Sequence, residues 1–494
     1  MSKFVSEAFR SSARKWTGRA SLALGALVAA CASQPAAPTL DGDLLISHVR
    51  VVDFSGEAPD VREDAFVLVD EGAIIALADT RAGLIADAEQ DASGLTLIPG
   101  LTDMHVHVWD EAELGAYLSW GVTRVRNMSG LPFHLTLAEQ VEAGNVLGPH
   151  LLTTGPILNS AGPNAQVNHQ LVETEEEARA AVAWQAEQGF TRLKVYSNLT
   201  REAYDAVLEE AEARNLIVTG HTPEGVRGPG VPFEAPFDIA FGEVLGDGFE
   251  TIEHIESIVW HGLSDRQDEA AARALAKRIA ASGVPVTPTL LAYHNLWRVG
   301  DTQGAALTRP GTEMLNPVVQ QTERNYQEFW ANQPPGPAAQ SDAFYGRVTK
   351  IFQEEGVTLV AGTDAGIFTN VPGLSLVEEL GLMVQAGLTE FEALKSATHA
   401  PSVVLDQEGL DGCARRGCAA DLVLYACDPL ADISCLHVPH AMIRDGEWLS
   451  REDLMALREA ARHHNLERTQ ENVLGGLAAQ GVDVSMLGLE GATE

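Results

Sequence analysis

Between residues 99 and 400 the chain alternates short apolar runs with longer stretches of helical patterning, and this alternation constrains the fold more than any other feature. After Leu101–His107 come Gly121–Met128 (GVTRVRNM), His150–Gly155 (HLLTTG), Phe190–Tyr196 (FTRLKVY) and Leu216–His221 (LIVTGH). Phe249–His254 (FETIEH), Pro285–Leu290 (PVTPTL) and Val357–Asp364 (VTLVAGTD) complete the series. Short, nearly continuous apolar runs are the signature of parallel strands covered on both faces. Glu173–Gln188, Thr200–Asn215 and Glu269–Ser282 carry helical spacing between them. Eight buried strands alternating with helices predict an α/β fold, a (β/α)8 TIM-type barrel, with an open parallel sheet as the alternative.

The flanks read differently. From Asp43 to Ile98 short apolar strands follow one another at turn spacing, with a single turn of helix expected around Ala82–Asp87. Asp421–Tyr425 and His440–Asp445 return to strand patterning, with no evident partner except the N-terminal strands. We therefore divide the chain into residues 1–30 (export leader), 31–42 (tether), 43–98 (first part of a small β-sandwich), 99–400 (barrel), 401–449 (second part of the sandwich) and 450–494 (helical tail). Two inserts, Thr222–Gly248 and Asn295–Ala343, follow predicted strands and should overhang the mouth of the barrel.

The leader sets the expected location. Residues 1–20 hold five cations and one anion, and Leu22–Ala30 (LALGALVAA) is apolar but far shorter than the roughly 20 residues a membrane-spanning helix needs. A basic flank, a short apolar core and then small residues make a signal peptide. Val28-Ala29-Ala30-Cys31 resembles a bacterial lipobox, which implies lipidation at Cys31; an ordinary signal peptide is the alternative. The expected location is the periplasm or cell envelope, with the membrane reached only through that lipid. The remaining cysteines, Cys413, Cys418, Cys427 and Cys435, suggest disulfides in an exported chain, while a zinc ribbon and free thiols stay open.

Overall the chain has 33 Lys and Arg against 69 Asp and Glu; without residues 1–20 the balance is 28 against 68. A phosphate backbone needs clustered cations, so nucleic acid is excluded as a general partner and a small molecule is expected. Assembly with further copies of the chain is left open.

The chemistry-bearing residues sit at strand ends. His105 and His107, two apart, project from one face of a strand and could share a metal ion. Lys194 lies inside an apolar strand, His221 and His254 each end one, and Asp364 ends the eighth. On a barrel these ends converge on one mouth. Taken singly, each has a bland reading: a snorkelling lysine, a core imidazole, a helix cap.

Together these residues resemble the metal-dependent amidohydrolase superfamily, and within it the exported prolidase-like (Xaa-Pro dipeptidase-like) branch. The resemblance rests on LIPGLTDMHVH (Leu97–His107), GVTRVRNM, RLKVY, VTGHTP, IEHIE (Ile252–Glu256), AGTDAG (Ala361–Gly366) and AADLVLYACDPLADI (Ala419–Ile433), and spans about Asp43 to Arg444. It implies a barrel beside a sandwich built from both ends of the chain. It also implies two divalent metal ions, with zinc the first expectation: one held by His105, His107 and Asp364, the other by His221 and His254, with Lys194 bridging them as a carboxylated side chain. An ammonium cannot ligate two cations, whereas a carbamate supplies anionic oxygens. The implied reaction is hydrolysis of an amide or peptide-like C–N bond in a dipeptide or N-acyl amino acid. Metal activates the water, and Asp364 acts as general base and then general acid. Tyr196, on the face of Lys194, is a candidate substrate hydrogen-bond donor or else a core aromatic. His134, His169 and Arg124 are read as structural. The third-strand loop reads Asn159–Asn168 (NSAGPNAQVN) where many prolidase-like relatives carry Gly-Gly-His, so the substrate stays open. Lactone hydrolysis, phosphotriester hydrolysis, deamination and non-catalytic ligand binding are the competing readings.

Overall fold

The computed structural model describes residues 39–228, 230–232 and 235–484. The export leader and the lipidation residue Cys31 lie outside the described residues. Among the described residues no helix is long and apolar enough to cross a membrane.

Two groups of parallel strands form the body. Leu101–Val106 pairs with Val122–Asn127, which pairs with His150–Thr153. In the second group Ile157–Asn159, Arg192–Val195, Ile217–Gly220, Ile252–Glu253 and Val286–Thr287 pair in that order, and His169–Leu171 lies against Ile157–Asn159. Two single parallel bridges, Val286 to Leu359 and Val106 to Ala365, tie Val357–Asp364 to a strand of each group. That eighth run is therefore not a continuous strand. Gly362 and Gly366 lie so close to the Leu101–Val106 strand that a Cβ on either would collide with His105 or His107, and Asp364 has φ 60°. These departures from extended geometry turn Asp364 toward the histidines.

Helices flank the strands with recognisable ends. Thr174 and Glu177 form a reciprocal cap on Glu175–Gln188, and Gly189 closes it at φ 104°. Asp268 caps Glu269–Ser282 through the amides of Ala270 and Ala271. The insert after Ile217–Gly220 is irregular except for the short helix Phe241–Val244. The insert after Val286–Thr287 is a helical series containing Leu290–Asp301, Pro317–Thr322, Arg324–Ala331 and Pro335–Glu354.

Both flanking segments build one mixed sheet of eight strands. Leu422–Tyr425 pairs antiparallel with Thr96–Pro99, joining residues more than 300 apart in sequence. The long strand Leu40–Asp53 starts before the expected boundary at Asp43 and pairs with Asp60–Asp70, Leu84–Asp91 and Thr96–Pro99. The turn of helix expected at Ala82–Asp87 is instead part of the strand Leu84–Asp91. Leu, Ala, Glu and Gln favour helix locally, but an open edge of Leu40–Ser47 offers a row of hydrogen bonds, and pairing overrides propensity. Alternation puts Leu44, Ile46, Val67 and Val69 in one buried cluster and Leu45, Phe66 and Leu68 in another, so this hairpin is covered on both faces. Val52, Ile98, Val423, Tyr425 and Met442 join the main core instead and fasten the sheet to the body. Cys413 pairs with Cys418 and Cys427 with Cys435, which settles the cysteine question as two local disulfides.

Candidate metal-binding active site

His105, His107, Lys194, His221 and His254 stand at or just beyond the carboxyl end of a parallel strand, where side chains leave the packed interior, and Asp364 lies in the segment bridged at Leu359 and Ala365. His105 and His107 bracket Val106, the last residue of its strand; Lys194 is the third residue of Arg192–Val195; His221 and His254 follow Gly220 and Glu253 directly.

These ends meet. Asp364 Oδ1 lies 3.0 Å from His105 Nε2 and 2.9 Å from His107 Nε2. Lys194 Nζ is 3.0 Å from the same His105 Nε2. The His254 ring centroid is 4.5 Å from that of His105 and 4.3 Å from that of His221. His105, His107 and Asp364 offer ligand atoms close enough together to hold one metal ion. His221 Nδ1 is buried and has no hydrogen-bond partner, a costly arrangement unless something else uses its lone pair.

The surroundings leave the inward nitrogens available. His105 Nδ1 donates to Glu253 Oε2 at 2.8 Å, and His107 Nδ1 is 2.7 Å from Ser129 Oγ, so both rings present Nε2 to Asp364. His254 Nδ1 is 2.8 Å from Thr289 Oγ1. His254 and Thr289 have φ of 68° and 46°, left-handed conformations that side-chain-bearing residues adopt only when the fold imposes them.

Beneath the cluster, the fully buried Arg126 donates to Glu253 Oε1 at 2.8 Å, to Glu250 Oε2 at 2.8 Å and to the Met104 carbonyl at 2.8 Å. Burial alone would raise the Glu253 pKa, but Arg126 and His105 hold it well below the usual carboxylate range. Asp103 accepts from Thr363 Oγ1 at 2.7 Å, and burial pushes it up to about 7.

Burial disfavours charge on three of the imidazoles: His107 is pushed down to about 4, His254 to about 3 and His221 well below its ordinary value. Burial also brings the Lys194 amine down to about 8, against the pull of Asp364 and Glu253. For Asp364, burial is outweighed by His105 and His254, so it stands as a carboxylate. Neutral imidazoles with a carboxylate are the donor set of a hard-to-borderline divalent ion.

Tyr196 packs against His221 at a 40° tilt with centroids 3.9 Å apart and lies 4.8 Å from His169. His134 spends Nε2 on the Val108 carbonyl at 2.6 Å, and Arg124 pairs with Asp411 at 2.6 Å. Sequence reasoning did not single out Glu253, Arg126, Ser129, Asp103 or Thr289. The signal available for Glu253, Arg126 and Asp103 was an ionisable residue inside an apolar strand run; for Ser129 and Thr289 there was none.

The amidohydrolase family pattern matches residues 96–449, most of the chain. No curated protein sequence matches. Among solved structures the fold is similar to a bottromycin amidohydrolase (TM-score 0.66, 23% identity, covering 86% of this chain and 91% of that one). It is also similar to a Xaa-Pro dipeptidase with bound methionine in the active site (0.62, 20%, 82% and 99%). A third is a prolidase complexed with N-methylphosphonate-L-proline (0.61, 22%, 82% and 99%). At these identities the likeness is one of fold, whereas the family pattern covers the strands that carry all six clustered side chains. The chain belongs to the amidohydrolase family, and with it to the hydrolytic enzymes that act on carbon–nitrogen bonds.

Proposed function

We propose that the protein is a prolidase-like hydrolase that cleaves the amide or peptide-like C–N bond of a dipeptide or N-acyl amino acid. The observation that carries this reading is the meeting of Asp364, His105, His107 and Lys194 within 3.0 Å contacts, beside a His221 whose Nδ1 is unpaired. The two parallel strand groups and the bridges at Leu359 and Ala365 support an eight-stranded (β/α)8 barrel, with the mixed sheet as its split sandwich.

In this reading His105, His107 and Asp364 would hold one divalent ion, His221 and His254 a second, and a carboxylated Lys194 would bridge them, with zinc the first candidate. Such a pair, when bound, polarises the scissile carbonyl and acidifies water. The chain's own residues do the rest. Asp364 Oδ1 faces His105 and His107, which leaves Oδ2 to accept a proton from the attacking water and return it to the departing nitrogen. Glu253 and Ser129 fix the orientation of the ligand rings. Tyr196, whose ring packs against His221, would donate a hydrogen bond to substrate.

Turnover of dipeptides and N-acyl amino acids by metal-loaded protein tests the reading. Asp364→Asn is expected to lower kcat by about 10²–10⁴-fold, the range for a lost general base. Lys194→Ala is expected to lose activity and regain part of it with short carboxylic acids. A fully active Asp364→Asn protein would sink the mechanism.

We also propose export and lipid anchoring at Cys31, supported by the basic leader and the lipobox-like residues 28–31. Labelled palmitate should incorporate into the wild-type chain and not into Cys31→Ser; equal incorporation removes the anchor.

A further inference from the structure

The helical tail takes no part in the chemistry proposed above, yet it is seated on the two loops that carry and orient His107. Its helix Leu466–Ala479 begins with Asn465 accepting from the Arg468 amide at 3.0 Å. From the first turn Arg468 holds Asp110 with both arms of its fork, Nε to Oδ2 and Nη2 to Oδ1, each at 2.6 Å. Its remaining nitrogen, Nη1, meets Glu111. Asp110 is fully buried and stands three residues beyond His107. A bidentate guanidinium is among the strongest partners of a carboxylate, and a buried carboxylate that loses it must move toward water.

The next residue of the same turn makes a second tie. Thr469 Oγ1 accepts from Asn316 Nδ2 at 3.0 Å, and that amide also reaches Glu113 Oε1 at 3.3 Å. Glu113 Oε2 accepts from the Trp109 amide at 3.1 Å, so the buried contacts run from the tail back to residue 109. Further along the helix Gly476 lies against Leu131, where a Cβ would come within 2.9 Å. Leu131 follows by two residues Ser129, whose hydroxyl engages His107 Nδ1.

The path from Asp110 to the clustered ligands is short. The Trp109 ring lies nearly parallel to the His107 ring, at 15° with centroids 6.4 Å apart, and its Nε1 donates to the Gly366 carbonyl at 3.1 Å. The His107 amide donates to the Ala365 carbonyl at 2.7 Å. Residues 107–110 are thus tied to the Asp364 segment on one side and to the tail on the other. The tail also docks away from this path. Arg458 lies over the Trp120 ring at 3.6 Å and donates to the Ser119 carbonyl at 2.7 Å, at the far end of the helix Leu114–Ser119.

We propose that Arg468 is a positioning residue of the active site: by pairing with Asp110 it keeps residues 107–110 in the conformation that presents His107 Nε2 to Asp364. The C-terminal helix is then part of the support of the metal site. The proposal rests on the metal-dependent hydrolase reading for its functional consequence and on the ion pair for its geometry.

The test compares Arg468→Met and Arg468→Lys with Arg458→Met, a tail substitution that leaves Asp110 paired. Zinc affinity of the full-length protein is measured by competition with a chromophoric chelator. Hydrogen exchange of residues 107–113 is followed in the metal-free protein. Arg468→Met is expected to weaken zinc binding about tenfold, the lower end of what losing a residue behind a metal ligand costs, and to speed exchange in residues 107–113. Arg468→Lys is expected to regain part of both, because an ammonium restores the charge but not the fork. Arg458→Met is expected to lower Tm and leave both readouts at the wild-type level. Wild-type affinity or wild-type exchange in Arg468→Met overturns the proposal. An equal loss in Arg458→Met also overturns it, because the effect is then one of general stability. If Arg468→Met does not fold, Asp110→Asn carries the same comparison. Protein that binds zinc but cleaves no amide loses the reaction assignment, and the positioning result stands unaffected. If the wild type binds no zinc, the metal reading falls and exchange at residues 107–113 alone decides the role of Arg468.

Discussion

Two clusters in this protein contain the same kinds of residue in opposite surroundings. His105, His107 and Asp364 gather at the carboxyl ends of the parallel strands; His150, Asp421 and Asp445 gather where the strand His150–Thr153 begins, against the mixed sheet. Both bring metal-capable atoms within reach of one another. In the second cluster, however, His150 spends both nitrogens on carboxylates, Glu142 Oε1 at 2.7 Å and Asp421 Oδ2 at 2.8 Å. Arg444 enters the same cluster, with Nη1 3.4 Å from Asp421 Oδ1 and a direct contact to Asp445. Burial disfavours a charged His150, but Asp421 outweighs it and raises the pKa above the ordinary value. Burial acts likewise against Asp421, and His150 and Arg444 hold it below the ordinary value. This cluster is an ion-pair joint between body and sheet. In the first cluster burial disfavours a charged His107, and both imidazoles have one nitrogen engaged from behind and one facing Asp364. Residue type proposes a metal site; the engagement of the second nitrogen and the presence of a guanidinium decide it.

The comparison breaks most visibly in metal content. His107→Ala should lose at least half of the bound divalent ion, read by elemental analysis of dialysed protein, while His150→Ala should keep the wild-type amount. Loss of metal in His150→Ala would erase the distinction. A smaller effect sharpens it from the other side. His150 has a raised folded pKa, so its stabilisation is complete below about pH 6.5, the unfolded value, and is lost as pH rises through the folded one. Asp421 has a lowered folded pKa, so its contribution is present above about pH 4 and is lost only in stronger acid. His150→Gln should therefore lower Tm by about 2 °C near pH 5.5, for roughly 1.5 kcal/mol in a domain of this size, and by less at pH 9. A difference that grows with pH would refute the ion-pair assignment.

Much of the site was legible because its signals are local. An H-x-H pair on one strand face, a lysine in an apolar run and a histidine or aspartate at a strand end are visible within a few residues. The supporting residues were not. Glu253 precedes His254 in the chain, yet its partners are His105 and Arg126, more than 120 positions away. Ser129 and Thr289 look like any loop hydroxyl until the rings of His107 and His254 are set against them. Arg124 and Arg126 sit two apart in the same motif, and only packing shows that the first joins Asp411 while the second joins Glu253, the partner of His105. Leu84–Asp91 was misread for a related reason. Its composition favours helix, and the strand edge that captures it belongs to residues 40–47.

The sequence by itself determined the strand–helix alternation, the six clustered side chains and their order along the chain, because periodicity and strand-end position are properties of neighbours. It also pointed the strands near residues 420 and 440 to the N-terminal strands as their only evident partner; Leu422–Tyr425 does pair with Thr96–Pro99, but it pairs with Pro439–Arg444 as well. Only the tertiary structure decided which charges are neutralised by arginine, which imidazole nitrogen stays free and which cysteines pair. Those outcomes depend on burial and on the direction of lone pairs across elements far apart in sequence, and no local pattern encodes them.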